Sequence, residues 1–247
     1  MEAAIGRPET TGTGKQIKST DSSRLSALLQ SLIRQSLNDG PQNDYLTNHS
    51  RFNNTADHVG VFGQYIPFLP TSGRLLDWGC YHAPDSCLLK TAFPNRFQIS
   101  GCDFAESRHL ARFHEYAGLE YRQLTDIVAT PYDSGEFDAV IGSGVLEHVA
   151  MDYESLKELH RILKPGGVLI ITYLPNWLSW REWVHRVIRK RDFHQRRYGL
   201  AEAQTLLKRA GFLPQLAEHA NYALPALCPL KFLCSTLTLV ARKVHAM

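Results

Sequence analysis

The sequence predicts an α/β fold: a doubly wound, mostly parallel seven-stranded sheet with an antiparallel edge strand. Three observations predict it. Short strand-like runs alternate with amphipathic helical stretches from Gly73 onward. Those runs are apolar on both faces, as strands covered by helices on each side must be. The last two runs, 213–222 and 235–243, have no helix between them and so pair antiparallel at one edge.

Residues 1–20 contain Gly, Thr, Ser and Lys but no apolar core, so they read as a disordered tail and not as a signal peptide. Residues 21–247 read as one domain. Leu25, Leu28, Leu29, Leu32 and Ile33 recur at helical spacing and form an N-terminal helical extension, ended by Asp39-Gly40-Pro41. Residues 41–54 are polar and read as loop. Residues 59–68 form a short helix with the aromatics Phe62, Tyr65 and Phe68, closed by Pro70.

The core follows over residues 71–173. Strand one is 74–78, with a helix over 84–92. Strand two is 97–102, with a helix over 105–116. Strands three and four are 119–124 and 137–142. Leu156, Leu159, Ile162 and Leu163 line one face of a helix over 153–163. Lys164-Pro165-Gly166-Gly167 is a tight turn before strand five, 168–173. A helical cap is inserted over 174–199, then a helix over 200–210 leads to the final two strands.

In an open α/β sheet, ligands sit beyond the carboxyl ends of the strands, where strand order reverses. The loops after strands one to four are therefore read together. Asp77 and Gly79 follow strand one, with Cys80 and Tyr81 on the same loop. A glycine there lets backbone approach a ligand closely, and the acid can accept from an ammonium. Asp103, followed by Phe104, stands after strand two, where a carboxylate can accept from both hydroxyls of a ribose. Asp126 and Ile127 follow strand three and can read an adenine edge; Ser143 follows strand four and faces the others. Each acid also has a plainer reading, as a helix cap or a solvated loop acid. Their order along the chain carries the weight.

Leu75-Leu76-Asp77-Trp78-Gly79-Cys80 resembles the first motif of class I S-adenosylmethionine-dependent methyltransferases. Gly135-Glu136-Phe137-Asp138-Ala139-Val140, with Val145-Leu146-Glu147-His148-Val149, is similar to their fourth-strand motif. Residues 159–167 and 198–212 are similar to their fifth-strand junction and late helix. The subgroup it most resembles contains quinone-biosynthesis and other small-molecule methyltransferases. The resemblance implies a Rossmann-like methyltransferase fold and S-adenosyl-L-methionine as cofactor. Asp77 and Gly79 would hold its methionine end, Asp103 its ribose, and Asp126 and Ile127 its adenine, with Ser143 near the sulfonium. The sequence departs from the pattern where the first loop has Tyr81 and Ala83 in place of the family's second and third glycines. Either Tyr81 turns away or lines the pocket of an active enzyme, or the site is degenerate and the protein is a silent adapter.

The expected reaction moves a methyl group to a small-molecule acceptor, with oxygen (sugar, lipid-linked or natural-product type) the first expectation from the family. His148 is the candidate base, with a structural role as the competing reading; Tyr173 and His82 are weaker candidates. In the insert, Trp177, Trp180, Trp183, Val184, Val187 and Ile188 approximate one apolar face among basic residues. A plain packed cap, a lid for an anionic or lipid-linked acceptor, and an interfacial helix over 177–197 on an anionic membrane all remain open. A Gly-x-Gly-x-x-Gly dinucleotide fingerprint is missing, which argues against a nicotinamide enzyme. A net charge of +3 is too small to argue for nucleic acid. Five cysteines without zinc-type spacing read as free thiols of a cytoplasmic protein, and no metal site is expected.

Overall fold

The computed structural model describes residues 19–39, 46–47, 55–106, 111–188, 194, 196–220 and 236–244. The tail over 1–18, most of the polar segment 41–54, residues 189–193, Cys228, Cys234 and Ser235 lie outside the described residues.

Helix α1 spans Ser19–Asp39 and α2 spans Thr55–Tyr65, followed by a 3₁₀ turn at Ile66–Phe68. Strand β1 (Gly73–Trp78) leads through a short turn to α3 (Pro84–Ala92), whose first residue is the proline that favours a helix start. Then come β2 (Phe97–Asp103), α4 (Ala111–Ala117), β3 (Glu120–Gln123) and β4 (Phe137–Ser143). The second half has α5 (Asp152–Ile162), β5 (Leu163–Pro175), α6 (Trp180–Val187), α7 (Leu200–Arg209), β6 (Phe212–Ala220) and β7 (Thr236–Lys243).

The seven strands lie in the order β3-β2-β1-β4-β5-β7-β6. The neighbours from β3 to β5 pair parallel, and β7 pairs antiparallel with both β5 and β6. The antiparallel strand thus sits one place in from the edge, and β6 forms the edge itself. Strand order reverses between β1 and β4, which is the switch point where a crevice opens.

Alternation along the strands divides the core in two. Leu75, Ile99, Ala139, Ile141 and Ile170 face one way, onto α1, α2, α3 and α4. Leu76, Val140, Leu169 and Ile171 face the other way, onto α5 and α7 through Leu156, Leu159, Ala203 and Leu207. A parallel sheet buried on both faces needs this near-continuous apolar run.

Two elements differ from the sequence reading. The helix expected over 105–116 begins at Ala111, after residues 107–110, which lie outside the described set. Ala105 is not helical because its N–H donates to Asp103 Oδ1 at 2.9 Å, closing a local turn. The turn at Lys164–Gly167 belongs to β5, which begins at Leu163 and pairs with Phe137 before a register shift. Asp138 fixes that end of the sheet, accepting from Arg74 N–H at 2.9 Å and from Lys164 Nζ at 2.7 Å. So the Phe137-Asp138 part of the fourth-strand motif is structural and lies at the far end from the crevice.

Candidate functional site

The turn from β1 to α3 has an unusual backbone. Gly79, Tyr81 and Ala83 all take left-handed conformations, with φ of 64°, 42° and 52°. Only glycine adopts this freely; other residues pay about 1–2 kcal/mol. A Cβ on Gly79 would also meet Val145 Cγ2 at 2.6 Å, so the turn and the β4 loop close onto each other here. The turn therefore keeps a glycine-loop path although two of its three positions carry side chains.

Hydrogen bonds impose that path. Gly79 N–H and Cys80 N–H both donate to Cys102 O, at 2.8 and 3.1 Å. Tyr81 N–H donates to Asp103 Oδ2 at 3.0 Å. His114 Nε2 donates to Tyr81 O at 2.6 Å, which fixes the neutral Nε2–H tautomer. Burial keeps this imidazole neutral by lowering its pKa, against the opposing pull of the Tyr81 carbonyl and Asp103. His114 is a site residue that the sequence reading missed, because one histidine within an amphipathic helix carries no local signature.

Beneath the turn lie two buried acids. Ser86 Oγ donates to Asp77 Oδ2 at 2.6 Å, and Tyr65 OH donates to Asp85 Oδ1 at 2.5 Å. Asp77 is pushed up to about 8, first by burial and then by the Asp85 carboxylate, while Ser86 pulls it back. The other oxygen of Asp85 is buried without a hydrogen bond. Phe62 and Tyr65 are fully buried in the core, and Tyr65 spends its hydroxyl on Asp85. Thr55 and His58, earlier on the same helix, line a cavity.

That cavity is bounded by Leu29 and Ile33 of α1, Leu46, Thr55, His58, His82, Pro84 and Phe113. His58 is kept neutral chiefly by burial, against the opposing pull of Asp85 and Asp57. Its ring lies 5.0 Å from that of Tyr173, which is itself left-handed at φ 60° near the end of β5.

Around the other loops, Asp103 accepts from two backbone N–H groups, and Tyr121 OH donates to the carbonyls of Asp103 and Ala105. Leu124 N–H donates to Asp103 O at 2.8 Å, which holds the ends of β2 and β3 together. From these tied ends, Phe104 and Ile127 project 51% and 62% exposed. Asp126 is fully exposed; its Oδ1 accepts from Val128 and Ala129 N–H, which hold its carboxyl below the usual range. Ser143 Oγ accepts from Thr172 Oγ1 at 3.0 Å at the end of β4. His148 is half exposed, its Nε2 3.8 Å from Oε1 of buried Glu147, and burial and His194 lower its pKa. Cys80, Cys87 and Cys102 are buried free thiols.

The insert is closed at its neck. Asn176 bridges to Tyr198, and Tyr198 N–H donates to Pro175 O at 2.9 Å. Trp177, Trp180 and Trp183 are 60%, 43% and 52% exposed, and Val187 and Ile188 are exposed beside them. Trp177 precedes the helix, so α6 carries the apolar stripe only from Trp180. The stripe faces outward, which sets aside the packed-cap reading. Among the described residues, no helix is long and apolar enough to cross a membrane.

A cofactor with an ammonium, a ribose and a flat base fits this set. The buried acid at Asp77, the carboxylate at Asp103 and the exposed apolar pair Phe104 and Ile127 supply the matching chemistry at and just beyond the carboxyl ends of β1, β2 and β3.

Comparison with known proteins agrees. The methyltransferase domain family matches residues 48–215, more than half of the chain. The chain belongs to that family, the class I S-adenosylmethionine-dependent methyltransferases, and its cofactor is S-adenosyl-L-methionine. Demethylmenaquinone methyltransferase of Staphylococcus epidermidis is 37% identical over 100 residues, covering 39% of this chain and 41% of that protein. Ubiquinone biosynthesis O-methyltransferase of Pseudomonas aeruginosa is 30% identical over 104 residues, covering 40% of this chain and 43% of that protein. The chain thus spans less than half the length of the curated relatives it matches. Among solved structures, the [4+2]-cyclase SpnF shares the fold with a TM-score of 0.60 and 20% identity, over 91% of this chain and 97% of its own. Phosphoethanolamine N-methyltransferase 2 of Haemonchus contortus has a TM-score of 0.54 and 17% identity, over 72% and 50%.

Proposed function

We propose that the protein transfers a methyl group from S-adenosyl-L-methionine to an oxygen of a small, largely apolar acceptor. The observation that carries this is the left-handed backbone at Tyr81 and Ala83. Strain at non-glycine residues persists where the surrounding structure over-determines it, and such strain clusters at ligand sites.

In this reading Asp77, Gly79, Cys80 and Tyr81 hold the methionine end. Asp103 takes the ribose hydroxyls with the lone pairs left after its two backbone bonds. Phe104 and Ile127 enclose the adenine. Asp126 contributes its second oxygen, since the first is committed to its own turn. Ser143 lies nearest the reacting centre. The cofactor supplies a methyl group on a sulfonium, a good leaving group. The protein's own task is to align the acceptor and exclude water. His58, neutral in the wall of the cavity beside α1, is the group placed to receive an acceptor's proton. His148 does not line that cavity.

The names of the two curated relatives support a quinone-type acceptor, and that of the ubiquinone enzyme supports oxygen. The exposed tryptophans support a peripheral contact of the insert with an anionic lipid surface and an acceptor drawn from it. The free thiols support a reducing, cytoplasmic setting.

Isothermal titration with S-adenosylhomocysteine tests this reading. Micromolar binding that Asp103→Ala weakens by tenfold or more, about 1.4 kcal/mol, supports methyl transfer. Asp103→Asn, which keeps an acceptor for Tyr81 N–H, controls for loss of the turn. No binding by folded wild type overturns it.

A further inference from the structure

We propose that Glu147, His148 and His194 form a binding site for a single zinc-class divalent ion, which fastens the insert to the β4 loop. One carboxylate oxygen and two imidazole nitrogens lie within 4.8 Å of one another. Ligands of a tetrahedral zinc ion at about 2.1 Å stand roughly 3.4 Å apart. His148 and His194 are not buried, so rotation of their side chains closes that difference. Glu147 is buried and supplies the fixed corner.

The approach of His194 to the β4 loop is built into the fold. Tyr198 OH donates to Asp152 Oδ2 at 3.0 Å and reaches Leu146 O at 3.4 Å. Arg196 pairs with Asp152 Oδ1 at 2.7 Å and donates to Ala150 O. These bonds clamp the returning leg of the insert on both sides of Glu147 and His148. The imidazoles of His148 and His194 come to 5.7 Å between centroids as a result.

The ligand chemistry selects the ion. Two imidazoles and one carboxylate suit zinc, iron(II) or cobalt(II); magnesium and calcium prefer all-oxygen shells. Three protein ligands leave a fourth position open, the arrangement of catalytic more than structural zinc sites. The site begins four residues past Ser143, at the carboxyl end of β4. Water is the natural fourth ligand, and ion binding does not depend on the methyl-transfer reading. Sequence spacing could not show the site, because the third ligand comes from the far side of the insert.

The test uses the full chain, stripped with a chelator and dialysed. Titration with zinc chloride is expected to show one ion per chain at micromolar affinity or tighter. Cobalt(II) is expected to give visible d–d absorption of an N/O-ligated ion. His148→Ala and His194→Ala, both at accessible positions, should each weaken binding at least tenfold, while His219→Ala leaves it unchanged. No uptake by folded wild type, or binding indifferent to both substitutions, overturns the proposal. Asp103→Ala should bind zinc as wild type does, so failure of the cofactor reading and failure of this one are told apart.

Discussion

The β1–α3 turn and the insert after β5 both leave the carboxyl ends of strands, yet they are held in opposite ways. The turn is short and hydrogen-bonded at almost every residue, to Cys102 O, to Asp103 and to the His114 ring, and Gly79 lies close against Val145. Its side chains do little of the holding, so Tyr81 and Ala83 can stand where glycine would be easier. The insert is fastened at its neck and at its returning leg, and it presents tryptophans to the surroundings. In one region the backbone is constrained and the side chains are free to vary. In the other the side chains carry the information.

If that contrast is right, the largest loss comes from Gly79→Val. The substitution demands a left-handed valine and places its Cβ against Val145. S-adenosylhomocysteine binding should fall by at least about 100-fold in titration calorimetry, with a lower Tm. Retained affinity would mean that the turn does not touch the cofactor.

The next effect is a pH dependence. Asp77 is raised from 3.8 to about 8, so between these values the folded state holds a proton that the unfolded state has lost. Its contribution to stability is complete below pH 4, declines as pH rises towards 8, and is then spent. Urea midpoints should show this slope, and Asp77→Asn should flatten it. A cofactor ammonium beside Asp77 favours the ionised form, so binding at pH 7 should release a proton, read from binding enthalpies in two buffers.

Smaller effects sharpen the comparison. Tyr65→Phe removes the donor to Asp85 Oδ1 and should cost about 1–3 kcal/mol in urea unfolding. Tyr81→Gly should leave S-adenosylhomocysteine affinity within a few-fold and change stability by no more than about 1 kcal/mol, relief of the left-handed cost being offset by glycine's entropy. Trp183→Ser should move stability by less than about 0.5 kcal/mol while reducing co-sedimentation with anionic phosphatidylserine vesicles. A large loss of stability there would show that the stripe is packed after all.

What the sequence made legible follows the same division. The strands were readable because a doubly covered parallel sheet needs unbroken apolar runs such as Val168–Ile171. The acids at strand ends were readable because the fold puts ligands there. The tertiary partners were not. Nothing local to Ser86, His114 or Tyr198 says that one bonds Asp77, another a tyrosine carbonyl, and the third a helix start 46 residues away. The fate of Tyr81 was undecidable for the same reason: its φ is set by Cys102, Asp103 and His114, none of them its neighbours in sequence.

The neck between Asn176 and Tyr198 has a consequence for how such a protein changes over time. A chain that departs and returns at one point can be lengthened, shortened or exchanged without disturbing the sheet. Closing a loop twice as long costs only about 0.6 kcal/mol more. The insert is therefore a replaceable cassette, and a graft made between Pro175 and Gly199 could bring a new clientele of acceptors to an unaltered cofactor platform.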